Sequence, residues 1–193
     1  MSVDMQGYTQ NAKKMFEMKG KPKMAEMWDV LDENGNTTGR LCERGPQNQG
    51  EYHLVVHVWI MNSKNEFLIS KRTPNKQPYP NMWECTGGSA VAGDGSITTA
   101  IKEVQEELGI TLEPENGQLF KSYTRTFKNG SGDFNDIWIF HQEVDLSSIT
   151  FQANETCDAM FADRTKIENM INDGIFLGRD VFPYLDELFC SNI

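Results

Sequence analysis

The chain has 193 residues and a net charge of −10 at pH 7, from 18 Lys and Arg against 28 Asp and Glu, and 38% of its residues are hydrophobic. This length suits one domain, alone or with extensions, and the composition is that of an ordinary globular protein. The acidic balance argues against general binding to nucleic acid or to an anionic membrane, since both need a positive surface. No stretch of the sequence is apolar enough to span a bilayer.

Cysteine usage predicts a cytoplasmic location. Cys42, Cys85, Cys157 and Cys190 are widely spaced and form no CxxC pair. Scattered cysteines are typical of reduced thiols rather than of a disulfide framework. The N-terminal stretch MSVDMQGYTQNAKKMFEMKG also lacks the apolar core of a signal peptide.

The first part of the chain predicts an extension followed by strands. Residues 1–25 are polar and contain several Met, so we expect an N-terminal extension there, with a helix at NAKKMFEM, and a domain over residues 26–193. MWDVLDENGNTTGRLCE predicts two strands joined by an Asn-Gly turn. EYHLVVHVWIMN is rich in β-branched and aromatic residues, which favours a central strand.

The remainder predicts a sheet covered by helices. FLISKR is expected to pair with the central strand, TPNKQPYPN is a proline-rich loop, and MWECTGGSA is a short strand that ends in two glycines. Three further strands and two closing helices follow: QLFKSYTRTF, DIWIFHQEV and CDAMFADR, then TKIENMINDG and DVFPYLDELF. Strands dominate and one helix lies in mid-chain. We therefore predict an α/β fold, an α/β/α sandwich with helices on both faces of a mixed sheet.

The segment GGSAVAGDGSITTAIKEVQEELGI predicts the mid-chain helix, from about Ser96 to Leu108. Asp94 or Ser96 can cap its start, and Gly109 suits the left-handed residue that ends a helix. At about 100° per residue, acidic and apolar side chains separate onto opposite sides. The acidic side holds Glu103, Glu106 and Glu107, and the apolar side holds Ala100, Ile101, Val104 and Leu108.

Two interpretations of the three glutamates are open. The first interpretation is an ordinary acidic surface, because each pair of neighbouring like charges on a solvated helix costs only a few tenths of a kcal/mol of stability. The glycine pair Gly87–Gly88 favours the other, because glycines let the backbone approach closely. A backbone carbonyl near three carboxylates supplies the hard oxygen ligands that suit Mg²⁺ or Mn²⁺.

From Gly88 onward this segment resembles the Nudix box, G-x5-E-x7-R-E-U-x-E-E-x-G-U, where U is a bulky aliphatic residue. The matching positions are Gly88, Glu103, Val104, Glu106, Glu107, Gly109 and Ile110. Asp94 stands at the first glutamate of the pattern and Lys102 at its arginine. In the family these two residues are thought to pair and brace the loop against the helix, although Lys lacks the forked donors of Arg.

The resemblance implies a Nudix fold, with a curved mixed sheet and the Nudix-box helix, and a metal-dependent diphosphate hydrolase. The expected ligands of Mg²⁺ or Mn²⁺ are the Gly87 carbonyl and the carboxylates of Glu103, Glu106 and Glu107. The reaction is attack of water on a phosphorus of X-diphosphate, with metal ions neutralising the developing charge. For the general base we place Glu103 first and Asp136 second.

From about Trp28 to Gly109 the chain is also similar to the Nudix branch that includes isopentenyl-diphosphate isomerase. There His53 falls on a metal-binding histidine, and Arg72 and Lys76 fall on basic residues that hold the diphosphate. Lys71 flanks the same loop. From chemistry alone these three could be ordinary surface residues, but beside the box we favour a diphosphate clamp.

The isomerase reading fails at particular residues. The catalytic cysteine of that enzyme falls at Gly87, its following histidine at Ser89, and one of its two later acidic residues at Phe134. Cys85 lies two residues from the required place and is expected to be a buried structural thiol. His53 then shapes the site or is a satisfied strand histidine.

Hydrolysis needs only metal, water and an oriented diphosphate, so a hydrolase acting on a small-molecule diphosphate, nucleoside-diphosphate-type or other, is the prediction. An isomerase-like enzyme and a non-catalytic binding or regulatory module are the alternatives. An intact acidic triad argues against the module. Neither nucleic acid nor membrane is expected as a partner, and a homodimer is left open.

Overall fold

The computed structural model describes residues 25–191. The predicted N-terminal extension, with its helix at NAKKMFEM, lies outside the described residues except for Ala25. None of the described helices is long and apolar enough to cross a membrane.

Within residues 25–191 nine strands form one sheet. The strands are β1 (Met27–Leu31), β2 (Thr37–Glu43), β3 (Tyr52–Met61), β4 (Phe67–Arg72), β5 (Trp83–Glu84), β6 (Thr86–Ser89), β7 (Gly117–Thr126), β8 (Gly132–His141) and β9 (Thr156–Ala162). The helices are α1 (Ser96–Leu108), α2 (Arg164–Asn172) and α3 (Leu185–Cys190), with short 3-10 turns at Pro114–Asn116 and Leu146–Ser148.

The central strand is β3, as its composition predicts. It runs parallel to β8 along its whole length, from Tyr52 beside Gly132 to Met61 beside His141. Its other edge is shared by three antiparallel partners, β1, β6 and β4. Strand β7 extends the sheet beyond β8, and β9 and β5 extend it beyond β4. The mixed sheet is confirmed.

Alternation along β3 divides the core into two layers. Val56, Val58 and Ile60 point to one side and pack in a cluster with the apolar face of α1. Trp59 and Met61 point to the other side and pack with α2, α3 and the segment between them. Because each face of the sheet is covered by helix, the molecule is the predicted α/β/α sandwich.

Helix α1 has the predicted limits, and Ala100, Val104 and Leu108 are buried in the core as expected. The predicted cap is wrong. Gly95 occupies the cap position without a side-chain bond, while the Ser96 hydroxyl accepts a hydrogen bond from Trp138.

Gly109 ends the helix with φ 70°, in the left-handed region where a side chain is strained. A Cβ at this position would lie 3.1 Å from the Thr150 Cβ.

We expect Gly109→Ala to destabilise the protein by about 1–2 kcal/mol, because an L-residue with a Cβ is strained in this conformation. Thermal melting should show a fall of roughly 2–4 °C per kcal/mol. Gly109→Asn is the matched comparison, since Asn tolerates the left-handed region better than Ala. Equal melting temperatures for the Ala and Asn variants would contradict the assignment of the cost to the backbone.

Candidate active site

The acidic side of α1 faces a cleft of about 340 Å³. Four segments build its walls: the glycine turn of β6, the end of the β1–β2 hairpin, the loop between β4 and β5, and the segment that leads into β9. The residues lining it are Glu26, Arg44, Lys76, Gly87, Gly88, Ser89, Val91, Asp94, Thr99, Lys102, Glu103, Glu106, Glu107, Gln152 and Glu155. The fold therefore brings the glycine pair, the three glutamates and Lys76 together.

Gly88 is required by the position of Glu103. A Cβ built on Gly88 would lie 2.3 Å from the Glu103 Cδ and 2.4 Å from both carboxylate oxygens. Any side chain at 88 would displace this carboxylate from the strand backbone. Glycine at this position thus allows an acidic group to pack directly against the sheet.

Glu103 and Glu107 are unusual carboxyl groups. Glu107 is only 9% exposed, and burial, with the nearby Glu84 and Glu103 carboxyls, raises its pKa to about 8. Burial and the neighbouring Glu106 raise the pKa of Glu103 to about 7. The two cleft lysines pair with other carboxylates, Lys102 with Asp94 and Lys76 with Glu155.

Within the described part of the chain, Glu103, Glu106 and Glu107 have no ion-pair partner. Desolvation favours the protonated forms of Glu103 and Glu107, so a cation bound beside them would stabilise their charged forms.

The donor chemistry fits a divalent ion. Carboxylate and carbonyl oxygens are the ligands that Mg²⁺ and Mn²⁺ prefer, and a dication would offset the desolvation and the repulsion that raise the pKa values of Glu103 and Glu107. The side chains do not yet converge on one point: among residues 25–191 no group of three or more His, Cys, Asp or Glu side chains has the geometry of a metal site. Glu106 is exposed and lines the cleft.

The loop between β6 and α1 is held at both ends. Lys102 Nζ donates to both carboxylate oxygens of Asp94, at 2.8 and 2.7 Å, so the expected brace forms with Lys in place of Arg. On the other side, the amide of Gly93 donates to the Asp29 carboxylate at 2.7 Å, and the amide of Ala92 donates to a β1 carbonyl. These bonds fix the loop that follows the two glycines.

The three predicted diphosphate-binding residues have different surroundings. Lys76 lines the cleft. The Arg72 guanidinium is buried and bonded to Glu84 at 2.8 Å and to the carbonyls of Tyr79 and Pro78. The Nζ of Lys71 lies 5.8 Å from the centre of the Trp83 ring, outside the cleft.

Comparisons with known proteins place the chain in a family. Residues 51–173 match the model of the NUDIX domain. A Nudix hydrolase of Listeria monocytogenes is 39% identical over 166 residues, covering 85% of this chain and 94% of its own.

The chain belongs to the Nudix hydrolase family.

Two further comparisons concern the fold and the isomerase branch. A Deinococcus radiodurans crystal structure superposes with a TM-score of 0.67 at 18% identity, over 84% of this chain and 98% of its own. An isopentenyl-diphosphate Delta-isomerase of Photorhabdus laumondii is 31% identical over 103 residues, 52% of this chain and 58% of its own. Nudix hydrolases generally use divalent metal ions and act on small-molecule diphosphates.

Two of the residues compared with the isomerase branch, His53 and Cys85, are not among those that line the cleft of this Nudix hydrolase. His53 stacks on Trp28 with ring centres 4.1 Å apart, and its Nδ1 bonds to Gln47. Cys85 is 3% exposed in the core, where burial raises the pKa of its thiol. Both are held by structural contacts, as expected.

Asp136, the second choice of base, accepts a hydrogen bond from Ser122 and lines a neighbouring pocket of about 410 Å³. That pocket shares Asp94 with the cleft. The fold therefore places Asp136 beside the acidic cluster but not within it.

Sequence reasoning missed several cleft residues. Glu26 directly precedes β1 and Arg44 directly follows β2, at the open end of the first hairpin, and Glu155 comes from the segment before β9. That segment is anchored by the amide of Gln152, which donates to the Glu107 carbonyl at 3.0 Å. No local pattern marks these residues, because each enters the site through tertiary pairing.

The metal-free protein should lose stability as pH rises from about 5 to 8. Folding raises the pKa of Glu107 from 4.5 to about 8, so across this range the folded state keeps a proton that the unfolded chain has released. Each unit of raised pKa corresponds to about 1.4 kcal/mol. Melting curves with chelator should show this fall, and Glu107→Gln should flatten it. Equal pH dependence in the wild type and in Glu107→Gln would contradict the raised pKa of Glu107, because His57, whose pKa is lowered by desolvation to about 4, contributes an opposite trend to both proteins.

Arg72→Ala should destabilise the fold by about 3–5 kcal/mol, because it leaves the Glu84 carboxylate buried without a partner. Thermal melting measures this loss. Lys76→Ala is the matched variant, and it should cost much less stability while weakening diphosphate binding. Similar melting temperatures for the two variants would show that Arg72 does not hold the loop that carries Lys76.

Proposed function

We propose that this Nudix hydrolase cleaves the diphosphate linkage of a nucleoside-diphosphate-type or other organic diphosphate, with Mg²⁺ or Mn²⁺ as cofactor. One observation carries the proposal. Glu107, which is buried, and Glu103, which is partly buried, have raised pKa values and share a cleft with Lys76. This combination suits a substrate that arrives as an anion together with a divalent cation.

The residues that would hold the ion are the Gly87 carbonyl and the carboxylates of Glu103, Glu106 and Glu107. When bound, a divalent ion neutralises charge on the phosphates and makes water a better nucleophile. Gly88 leaves room for the Glu103 carboxylate, and the Asp94–Lys102 pair holds the loop around it. These contacts would keep the Gly87 carbonyl and the Glu103 carboxylate on the same side of the cleft.

Lys76 would orient the substrate by donating to a phosphate oxygen. Burial lowers the pKa of Lys76, and the nearby Glu107 partly opposes this, so an additional anion would stabilise its charged form. Arg72 would act indirectly, since its three bonds hold the loop on which Lys76 lies.

Glu103 remains the first choice for the group that accepts a proton from the attacking water. It lies in the cleft, and its pKa of about 7 suits proton transfer near neutral pH. Asp136 remains the second choice. It would have to act from the adjoining pocket.

We infer that the substrate is a free small molecule of the cytosol, rather than a nucleic acid or a membrane component. The net charge of −10 and the four unpaired thiols support this. Gly87 at the position of the isomerase cysteine weighs against isomerisation. Desolvated carboxyl groups without a cationic partner among the described residues weigh against a module that binds ligand without metal. Their desolvation lowers stability and would serve no function in such a module.

Glu107→Gln tests the proposal, because it keeps the size of the side chain and removes its charge. Mn²⁺ should raise the melting temperature of the wild type and of the exposed control Glu33→Gln, but not of Glu107→Gln. Turnover of an accepted diphosphate should fall by about 10²–10³-fold, the usual cost of one lost electrostatic group.

The assay is release of phosphate or monophosphate from a panel of organic diphosphates with Mg²⁺ or Mn²⁺. A wild-type protein with no metal response, or a Glu107→Gln variant with wild-type turnover, would refute the metallohydrolase proposal.

A further inference from the structure

Two cation–carboxylate pairs in the cleft come from outside the Nudix box. Arg44 is bonded to Glu26, with Nη1 2.8 Å from a carboxylate oxygen, and Lys76 is paired with Glu155. All four residues line the cleft. Each cation therefore has a carboxylate partner when no substrate is bound.

The backbone of Arg44 is held firmly, but only part of its hydrogen-bonding capacity is used. It directly follows β2, and its amide donates to the Glu26 carbonyl at 2.8 Å, which fixes its backbone to the start of the first hairpin. Its Cζ lies 6.0 Å from the centre of the Trp28 ring, within range of a cation–π contact. The side chain is 56% exposed. The described residues occupy one of its five N–H donors, so the rest of the fork is available to a ligand.

The other cations near the cleft are committed to the fold. Lys102 Nζ contacts both oxygens of Asp94, and Arg72 has three protein partners. Arg44 and Lys76 remain, and they come from different walls, one from the first hairpin and one from the loop between β4 and β5.

We propose that Arg44 is a second diphosphate-binding residue, acting together with Lys76, and that Glu26 and Glu155 are latches that occupy the two cations until substrate displaces them. This rests on the proposed function in taking the cleft as the diphosphate site. The ligand class is an organic diphosphate whose two phosphoryl groups are reached from two walls.

Replacement of the carboxylate partner by a phosphoryl group is favourable for both cations. A partly exposed ion pair between a carboxylate and a cation is worth only about 0–1 kcal/mol. A phosphoryl group offers more charge and more acceptor oxygens, and Arg can bind it through two parallel bonds. Lys76 would supply a point charge and Arg44 a planar fork, so the two cations are not interchangeable.

The test is calorimetric titration with methylenediphosphonate, a non-hydrolysable diphosphate analogue, at saturating Mg²⁺. Arg44→Ala should raise Kd by about 10–100-fold, in line with one or two lost charge-assisted bonds. Arg44→Lys should give an intermediate Kd because it keeps the charge and loses the fork. Arg40→Ala is the matched control, since Arg40 lies on the same hairpin but pairs with Glu51 outside the cleft, and its Kd should equal that of the wild type.

Substitution of either latch should have the opposite effect on Kd. Glu26→Gln and Glu155→Gln should each lower Kd, by up to about fivefold, because a carboxylate that competes for the cation is removed. Both should keep the wild-type rise in melting temperature with Mn²⁺. Weaker binding of the analogue, or loss of the Mn²⁺ response in Glu26→Gln, would show that Glu26 serves the metal and would overturn its role as a latch.

Wild-type affinity in Arg44→Ala would overturn the assignment of Arg44. This outcome is separate from failure of the proposed function. If Arg44→Ala binds normally while the wild type hydrolyses a diphosphate and Glu107→Gln does not, the hydrolase proposal is supported and only the role of Arg44 is refuted. Conversely, tight analogue binding that depends on Arg44, without hydrolysis of any diphosphate, would support diphosphate binding by Arg44 and refute the proposed hydrolase activity.

Discussion

The site depends on two neighbouring carboxyl groups, one buried and one partly buried, that have no cationic partner within residues 25–191. Desolvation and mutual repulsion oppose the charged forms of Glu103 and Glu107, and only packing elsewhere can hold them in place. Helix α1 provides that packing through Ala100, Val104 and Leu108 against the central strand. Packing of the apolar side of α1 therefore offsets the free-energy cost of the desolvated carboxyl groups on its acidic side. This arrangement is usual where functional residues lie on a rigid element.

Much of the fold could be predicted because local and global preferences agree. The limits of α1 follow from its apolar periodicity and from Gly109, and β3 follows from its β-branched and aromatic residues. Predictions failed where tertiary contacts compete with local rules. Ser96 could have capped α1, but its hydroxyl serves Trp138 across the core.

Two other elements differ from their sequence prediction. The predicted strand MWECTGGSA is divided at the buried Cys85 into β5, which pairs with β4, and β6, which pairs with β3. The last helix begins at Leu185 rather than near Asp180, because Pro183 disfavours helix at the residue before it.

The candidate site was predictable to the extent that one helix carries it. The spacing of Glu103, Glu106 and Glu107 marks them as a group, but it cannot show how their neighbours are used. Arg72 ends β4 and Lys76 lies four residues later in the loop that follows, yet Arg72 is bonded to three protein acceptors whereas Lys76 lines the cleft. The partners from the first hairpin and from the segment before β9 are remote in sequence, so only the folded chain brings them together.

The main-chain bonds between the end of α1 and the segment before β9 bear on how this enzyme can evolve. The amides of Thr150 and Gln152 are tied to the carbonyls of Leu108 and Glu107, and Thr73 holds the same segment at Asn154 and Glu155. Insertions on the β8 side of Thr150 leave this anchorage untouched, whereas an insertion between Gln152 and Glu155 changes its register. The connection between β8 and Thr150 is thus a place where new substrate-contacting residues can be gained while the catalytic frame is inherited unchanged.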